Sequence, residues 1–130
     1  MTLTDRLHAL AEHLGVAVTY HHGGPKGLYV AEARLITLRE GMGWRKLRST
    51  FAHELGHAIN DDQPIDDPIL RLRQERRADE IAAQLLIAPC SYLNAEKTVG
   101  HHEGALAIEL GVTTHIIQAW RNLHERKLTP

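Results

Sequence analysis

His53-Glu54-Leu55-Gly56-His57, within the longer run Arg48-Ser49-Thr50-Phe51-Ala52-His53-Glu54-Leu55-Gly56-His57-Ala58, is the stretch around which the rest of the chain can be organised. The two histidines are four residues apart, so on an α-helix their rings leave one face and can grip a single ion. Glu54 stands beside them, placed to take a proton from a water activated by that ion and later to hand it to a leaving amine. The chain holds ten histidines, and a His-x-x-x-His pair can arise in it by accident. The helical surroundings therefore matter. At about 100° per residue, Trp44, Leu47, Phe51, Leu55, Ala58 and Ile59 form one apolar stripe on a helix expected from about Trp44 to Asn60. His53 and His57 project from roughly the opposite side. They are not core residues of this stripe, and face either solvent or a second helix carrying something to meet them.

That second helix lies downstream. Asp67-Pro68 has the form of a cap followed by a first-turn proline, and the helix is expected to run to about Ala88 and stop at Pro89. Leu72, Ala78, Ala82, Ala83 and Leu86 mark its apolar face, with Arg73, Arg76, Arg77, Glu80 and Gln84 on the outer one. Glu75 and Asp79 fall on the apolar side, one turn apart. Two carboxylates on a buried face are costly without cationic compensation, which a metal ion would supply. Glu75 is then expected as the third ligand, with the fourth position open, as a catalytic zinc site requires. Asp79 is expected to accept the free ring N–H of a liganding histidine and fix its tautomer. In the alternative, the histidines are solvated and Glu75 pairs with an arginine such as Arg71. The glutamate between the histidines and the two carboxylates on the facing helix weigh against that.

Working outward, the pattern predicts one α+β domain over residues 1–130. A first helix, capped by Thr4 or Asp5, carries Leu3, Leu7, Leu10, Ala11 and Leu14 at helical spacing and ends at Gly15. Val16–Tyr20 reads as a strand and His21–Pro25 as a turn. Gly27–Val30 and Arg34–Leu38 read as two further strands forming a hairpin. After the two long helices, shorter ones are expected at Ser91–Lys97, Glu103–Leu110 and Thr114–Glu125. The expected architecture is an N-terminal helix, a three-stranded sheet, the helix that carries His53 and His57, and a C-terminal helical part. Hydrophobic content of 43% supports a real core, and with aromatics at 5% aliphatic side chains must fill it.

A net charge of −1 does not favour nucleic acid, whose phosphates demand an excess of Lys and Arg. The span Ala107–Ile117 has the spacing of a helix-turn-helix, with Gln118, Arg121 and Asn122 as would-be readers, but the charge favours a packing unit. No apolar run is long enough to span a bilayer, the start lacks a signal-peptide pattern, and the single Cys90 excludes an internal disulfide. A cytoplasmic location is expected. Cys90 is expected to be a partly buried small hydrophobe. His21-His22 and His101-His102 read as loop histidines, and one of them, or Tyr92, is a candidate to steady the oxyanion of a tetrahedral intermediate.

Taken together these residues resemble the ImmA/IrrE family of zinc-dependent peptidases over most of the chain. Three features carry the likeness. One is the small sheet leading into Arg48–Ala58. The second is Glu75-Arg76-Arg77-Ala78-Asp79 followed by Ile81-Ala82-Ala83-Gln84-Leu85-Leu86 and Pro89, similar to the family's Glu-x-x-Ala-Asn/Asp, Phe-Ala, Leu-Leu-x-Pro helix. The third is the tail around Ala107, Val112 and Ile117. Ile81 stands where Phe is usual, Arg77 where a second acid is common, and Ala88 adds a residue before the proline. The resemblance implies a small α+β, zincin-like metallopeptidase domain, with His53, His57 and Glu75 as metal ligands, Glu54 as catalytic base, and zinc as the ion, with manganese the alternative. It also implies a protein substrate, typically a helix-turn-helix repressor of phage, mobile-element or stress-response genes. A competing expectation is a non-catalytic module that sequesters a repressor or antitoxin-like partner around a structural zinc, for which Glu54 would be unnecessary.

Overall fold

The order of elements follows from where the chain can cap, turn and bury. In a computed structural model, residues 1–128 are described, with side chains to Glu125; residues 129–130 lie outside the described residues. Helix α1 spans Leu3–His13 and is capped by Thr2, not by Thr4 or Asp5. Thr2 Oγ1 accepts from the Asp5 N–H at 3.0 Å while the Asp5 carboxylate accepts from the Thr2 N–H at 2.9 Å. Reciprocal capping of this kind satisfies two donors at once, which moves the start two residues upstream. Leu7 and Ala11 are buried, with Leu3, Leu10 and Leu14 packed against the same core.

The sheet comprises β1 (Ala17–His21), β2 (Gly27–Val30) and β3 (Leu35–Arg39), ordered β1-β3-β2. β2 and β3 form the expected antiparallel pair, and β1 runs parallel to β3. Two strands, β1 and β3, shift by one residue. Val16 is buried just before β1, and His21 ends that strand instead of opening the turn, its ring held by Thr37 Oγ1 and the Pro25 carbonyl, both at 2.7 Å. Arg34 lies in the β2–β3 turn at φ 49°, outside β3. Its guanidinium donates to the Leu14 carbonyl, Tyr29 Oη and Asp61, which ties the turn to α1 and to the end of the next helix. Central strand β3 buries Ile36 and Leu38.

Helix α2 spans Trp44–Ile59 and α3 spans Pro68–Leu86, with Asp67 capping α3 through its bond from the Ile69 N–H at 2.8 Å. Phe51, Leu55 and Ala58 are buried as the stripe predicts, but its ends are not: Trp44 is 62% exposed and Ile59 41%. Both sit at the helix termini, beyond the neighbours that cover its middle. Trp44 lies over Gly111, with the Arg48 guanidinium 5.0 Å from its ring. Leu72 is also exposed, contrary to its place on the expected apolar face, because the buried residues of α3 all fall between Ala78 and Leu86. The first half of α3 overhangs the body.

Helix α3 ends at Leu86, two residues early. Ile87 and Ala88 are extended, as the residue before a proline prefers to be. Helix α4 (Pro89–Val99) therefore starts on the proline itself, with Tyr92 and Ala95 inward. That register leaves Cys90 exposed, not partly buried. Helices α5 (Glu103–Leu110) and α6 (Thr114–Leu128) follow, joined at Gly111 in the left-handed conformation. Their Leu106, Ala107, Val112, Ile116 and Ile117 complete the core. No helix among the described residues is long and apolar enough to cross a membrane.

Candidate metal centre

Helices α2 and α3 can approach because Gly56 has no side chain. A Cβ built there would lie 2.7 Å from the Ala78 carbonyl oxygen and 2.9 Å from the Ala78 Cα. This close crossing sets the flanks of Ala78, Glu75 and Asp79, against the histidine face of α2. A second glycine shapes the other wall: a Cβ at Gly27 would fall 2.7 Å from Thr50 Cγ2 and 3.0 Å from Glu54 Cγ, so only glycine lets β2 lie this close to α2.

His53, His57 and Glu75 are brought together. His53 Nε2 lies 2.8 Å from Glu75 Oε2, His57 Nε2 lies 3.3 Å from Glu75 Oε1, and the two Nε2 atoms are 3.1 Å apart. One ligand atom from each residue falls within 4.8 Å of the others. Tetrahedral zinc with bonds of about 2.1 Å sets its ligand atoms roughly 3.4 Å apart, so these spacings suit a single divalent ion. The donor chemistry points the same way. At most one proton can lie between two facing imidazole nitrogens, and a cation shared with the carboxylate satisfies both lone pairs. Each ring is held from behind by another carboxylate: His53 Nδ1–H donates to Asp79 Oδ1 at 2.7 Å, and His57 Nδ1–H to Asp62 Oδ2 at 2.8 Å. Such bonds leave Nε2 as the metal-facing atom.

Glu75 departs from expectation in one respect. Its side chain is 52% exposed, because it stands where α3 begins to overhang, whereas Asp79 one turn on is 18% exposed. Compensation of Glu75 thus comes from the imidazoles more than it is forced by burial. Glu54 is buried, at 6% exposed, and its carboxylate takes a hydrogen bond from the Tyr29 backbone.

The electrostatics follow from this packing. Burial opposes a charge on His53, yet its bonds to Asp79 and Glu75 outweigh burial and push its pKa up to about 10. His57 moves up as well, burial again being outweighed by Glu75 and Asp62. Bonds from His53, then His57, hold Glu75 well below the usual carboxylate range. Glu54 moves the other way, raised by burial against the pull of His53 and His57. A raised carboxylate suits a group that must accept and then release a proton near neutrality.

In metal-stripped protein, His53 is raised from an unfolded value of about 6.5. It adds stability that is complete below that pH and lost as pH climbs through about 10. Glu75, depressed, adds stability present above its unfolded value of about 4.3 and lost on acidification. The melting temperature of stripped protein is thus expected to peak between roughly pH 4.5 and 6.5 and fall toward pH 10. Saturating zinc should reverse the alkaline slope, since the ion needs deprotonated rings. A stripped sample whose melting temperature climbs steadily from about pH 6.5 to 9 would contradict the imidazolium–carboxylate cluster.

The family model for Peptidase_M78, the IrrE N-terminal-like domain, matches residues 8–119, from α1 into α6 and through every residue of this cluster. The chain belongs to this family. No curated protein matches it. The Peptidase_M78 assignment agrees with the resemblance drawn from the motifs, and with it a metallopeptidase-like domain whose His53, His57 and Glu75 are positioned to bind a metal ion.

Around the Peptidase_M78 cluster, sequence patterning overlooked two side chains. Asp62, which lies outside every motif drawn from the sequence, has a nearly buried carboxylate that braces His57 and pairs with Arg77 at 3.3 Å. An acid just past the end of the histidine helix, where the chain folds back, is the signal that was present. His115, at the start of α6, reaches Asp79 Oδ2 through Nε2 at 2.9 Å. It lines the cleft that holds His53 and Glu54, and nothing local in the sequence marks it. The residues weighed as oxyanion partners lie elsewhere. His21 is held within the sheet, His22 pairs with Glu40, His101 pairs with Glu96, and His102 caps α5. Tyr92 stacks on Trp120 and accepts from Arg121. None of the five lines the cleft.

Proposed function

We propose that this protein is a zinc-dependent endopeptidase, with His53, His57 and Glu75 holding the ion and Glu54 as general base. The observation that carries it is the convergence of two imidazole nitrogens and a carboxylate beside a buried glutamate, which with His53 lines a cleft of about 670 Å³. When bound, the ion supplies Lewis-acid polarisation of a water and of the scissile carbonyl. Glu54 takes the proton from the attacking water and passes it to the leaving amine. Asp79 and Asp62 hold the two rings in register throughout. His115, tethered by Asp79, presents a polar ring to the substrate side of the cleft.

The substrate is a protein, and the family likeness nominates a helix-turn-helix repressor. A role in packing, and not in DNA reading, suits α5 and α6: Gln118 donates to Glu103 at 2.9 Å, while Arg121 donates to Tyr92 Oη and the His101 carbonyl. Stripping with a chelator is expected to abolish hydrolysis of a cognate repressor, and stoichiometric zinc to restore it. In the same zinc titration Asp79→Ala should bind about 10- to 100-fold more weakly, because the His53 ring loses the acceptor that orients it. Cleavage that survives complete metal removal would refute the proposal.

A further inference from the structure

The cleft above Glu54 is lined by cations that neither the metal cluster nor the proton transfer uses. Lys26, just before β2, and Lys46, in the first turn of α2, are exposed; Arg45 is half-buried and donates to the Val112 carbonyl at 3.4 Å. Among the described residues lining this cleft the carboxylates are Glu54 and Asp79, and both are committed. Glu54 lies on the floor, and Asp79 is bonded to His53 and His115. The wall a substrate side chain meets is therefore positive, in a protein whose net charge is −1.

A second cavity, of about 560 Å³, lies on the far side of the Asp79–His115 contact and shares both residues. Its ionisable lining is mainly acidic, with Glu75, Glu80 and Glu125 against Arg76. The His115–Asp79 pair thus marks where the cationic wall ends. A wall of one sign that ends at a fixed boundary orients a charged ligand as well as attracts it.

We propose that the cleft selects a polypeptide segment bearing Asp or Glu side chains on one side of the scissile bond, seated against Lys26, Arg45 and Lys46. This deepens the endopeptidase reading and rests on it for the scissile bond, but the binding preference itself needs no hydrolysis.

The test uses three fluorescein-labelled decapeptide pools, random at the centre and carrying Glu, Gln or Lys at the flanking positions of one half. Binding is measured by anisotropy to the full zinc-loaded chain with Glu54→Gln, so that nothing is consumed. The Glu pool is expected to bind about tenfold more tightly than the Gln pool at low salt, the preference shrinking to about twofold or less at 0.5 M salt, as screened surface charges require. Adding Lys26→Glu and Lys46→Glu should invert the order in favour of the Lys pool, while Lys26→Arg with Lys46→Arg keeps it. Both lysines are exposed, so the reversal should leave the melting temperature within a few degrees, and melting is measured alongside. Equal binding of the Glu and Gln pools, or a charge reversal that leaves their ratio unchanged, overturns the proposal. Selective binding of the Glu pool without cleavage by the wild-type zinc protein would instead remove the endopeptidase reading and leave the cleft preference standing.

Discussion

Replacing Glu54 by glutamine is expected to lower kcat/KM for a cleaved substrate by about a thousandfold, close to 4 kcal/mol of transition-state stabilisation, with zinc still bound. The amide keeps the volume of the side chain, so the buried floor of the cleft stays filled and the Tyr29 backbone still finds an oxygen acceptor. It cannot take up a proton. The ligands His53, His57 and Glu75 are untouched, and so are the carboxylates behind the rings. Metal content by elemental mass spectrometry and the melting temperature should match the parent, while the rate collapses. Full metal with a rate within a factor of about ten of wild type would remove Glu54 from the chemistry. A silent variant that still blocks a repressor by binding alone would support the sequestering module instead.

The second large effect concerns Gly56, which touches no proton and no ligand. An exposed mid-helix glycine replaced by alanine usually gains about 1 kcal/mol from backbone entropy. Here the sign should reverse. The added methyl would sit 2.7 Å from the Ala78 carbonyl oxygen, 2.9 Å from its Cα and 3.2 Å from its carbonyl carbon, all backbone atoms that cannot rotate away. Relief requires α2 and α3 to separate by a few tenths of an ångström or more, and overpacking of that kind costs about 1–3 kcal/mol. A fall in melting temperature of roughly 4–10 °C is expected, measured by calorimetry on stripped protein. Zinc affinity should fall with it, since Glu75 and Asp79 ride on the displaced helix while both imidazoles ride on α2. A Gly56→Ala variant that melts higher than the parent, with unchanged zinc binding, would show that the crossing is not tight.

These two residues mark how far the sequence could be read. His53, Glu54 and His57 belong to one helical turn, so their mutual geometry was local and legible from spacing alone. Gly56 sits between them, and its role as a contact point could be seen only once Ala78 was placed against it. Patterning succeeded where burial is uniform, as for Phe51, Leu55, Ala82 and Ala83, and erred where an element outruns its neighbours. Trp44, Ile59 and Leu72 keep the apolar period but are not covered by a neighbouring element and stay exposed. Cys90 failed for a related reason: whether it faces in or out depends on the register α4 takes from Pro89.

The sequence by itself determined the elements and the chemistry they carry: two rings on one helical face, a carboxylate between them, and two more carboxylates a turn apart on the next helix. Those follow from dihedral preferences and from i, i+4 spacing, which act within a few residues. Tertiary structure decided the rest. It placed Glu75 at a half-exposed rim, brought Asp62 behind His57 and His115 onto Asp79, and gathered Lys26, Arg45 and Lys46 on one wall. Most of these are meetings between residues far apart in the chain, and that of Glu75 and Asp79 with the imidazoles depends on how closely two helices cross, a distance set here by a missing methyl group.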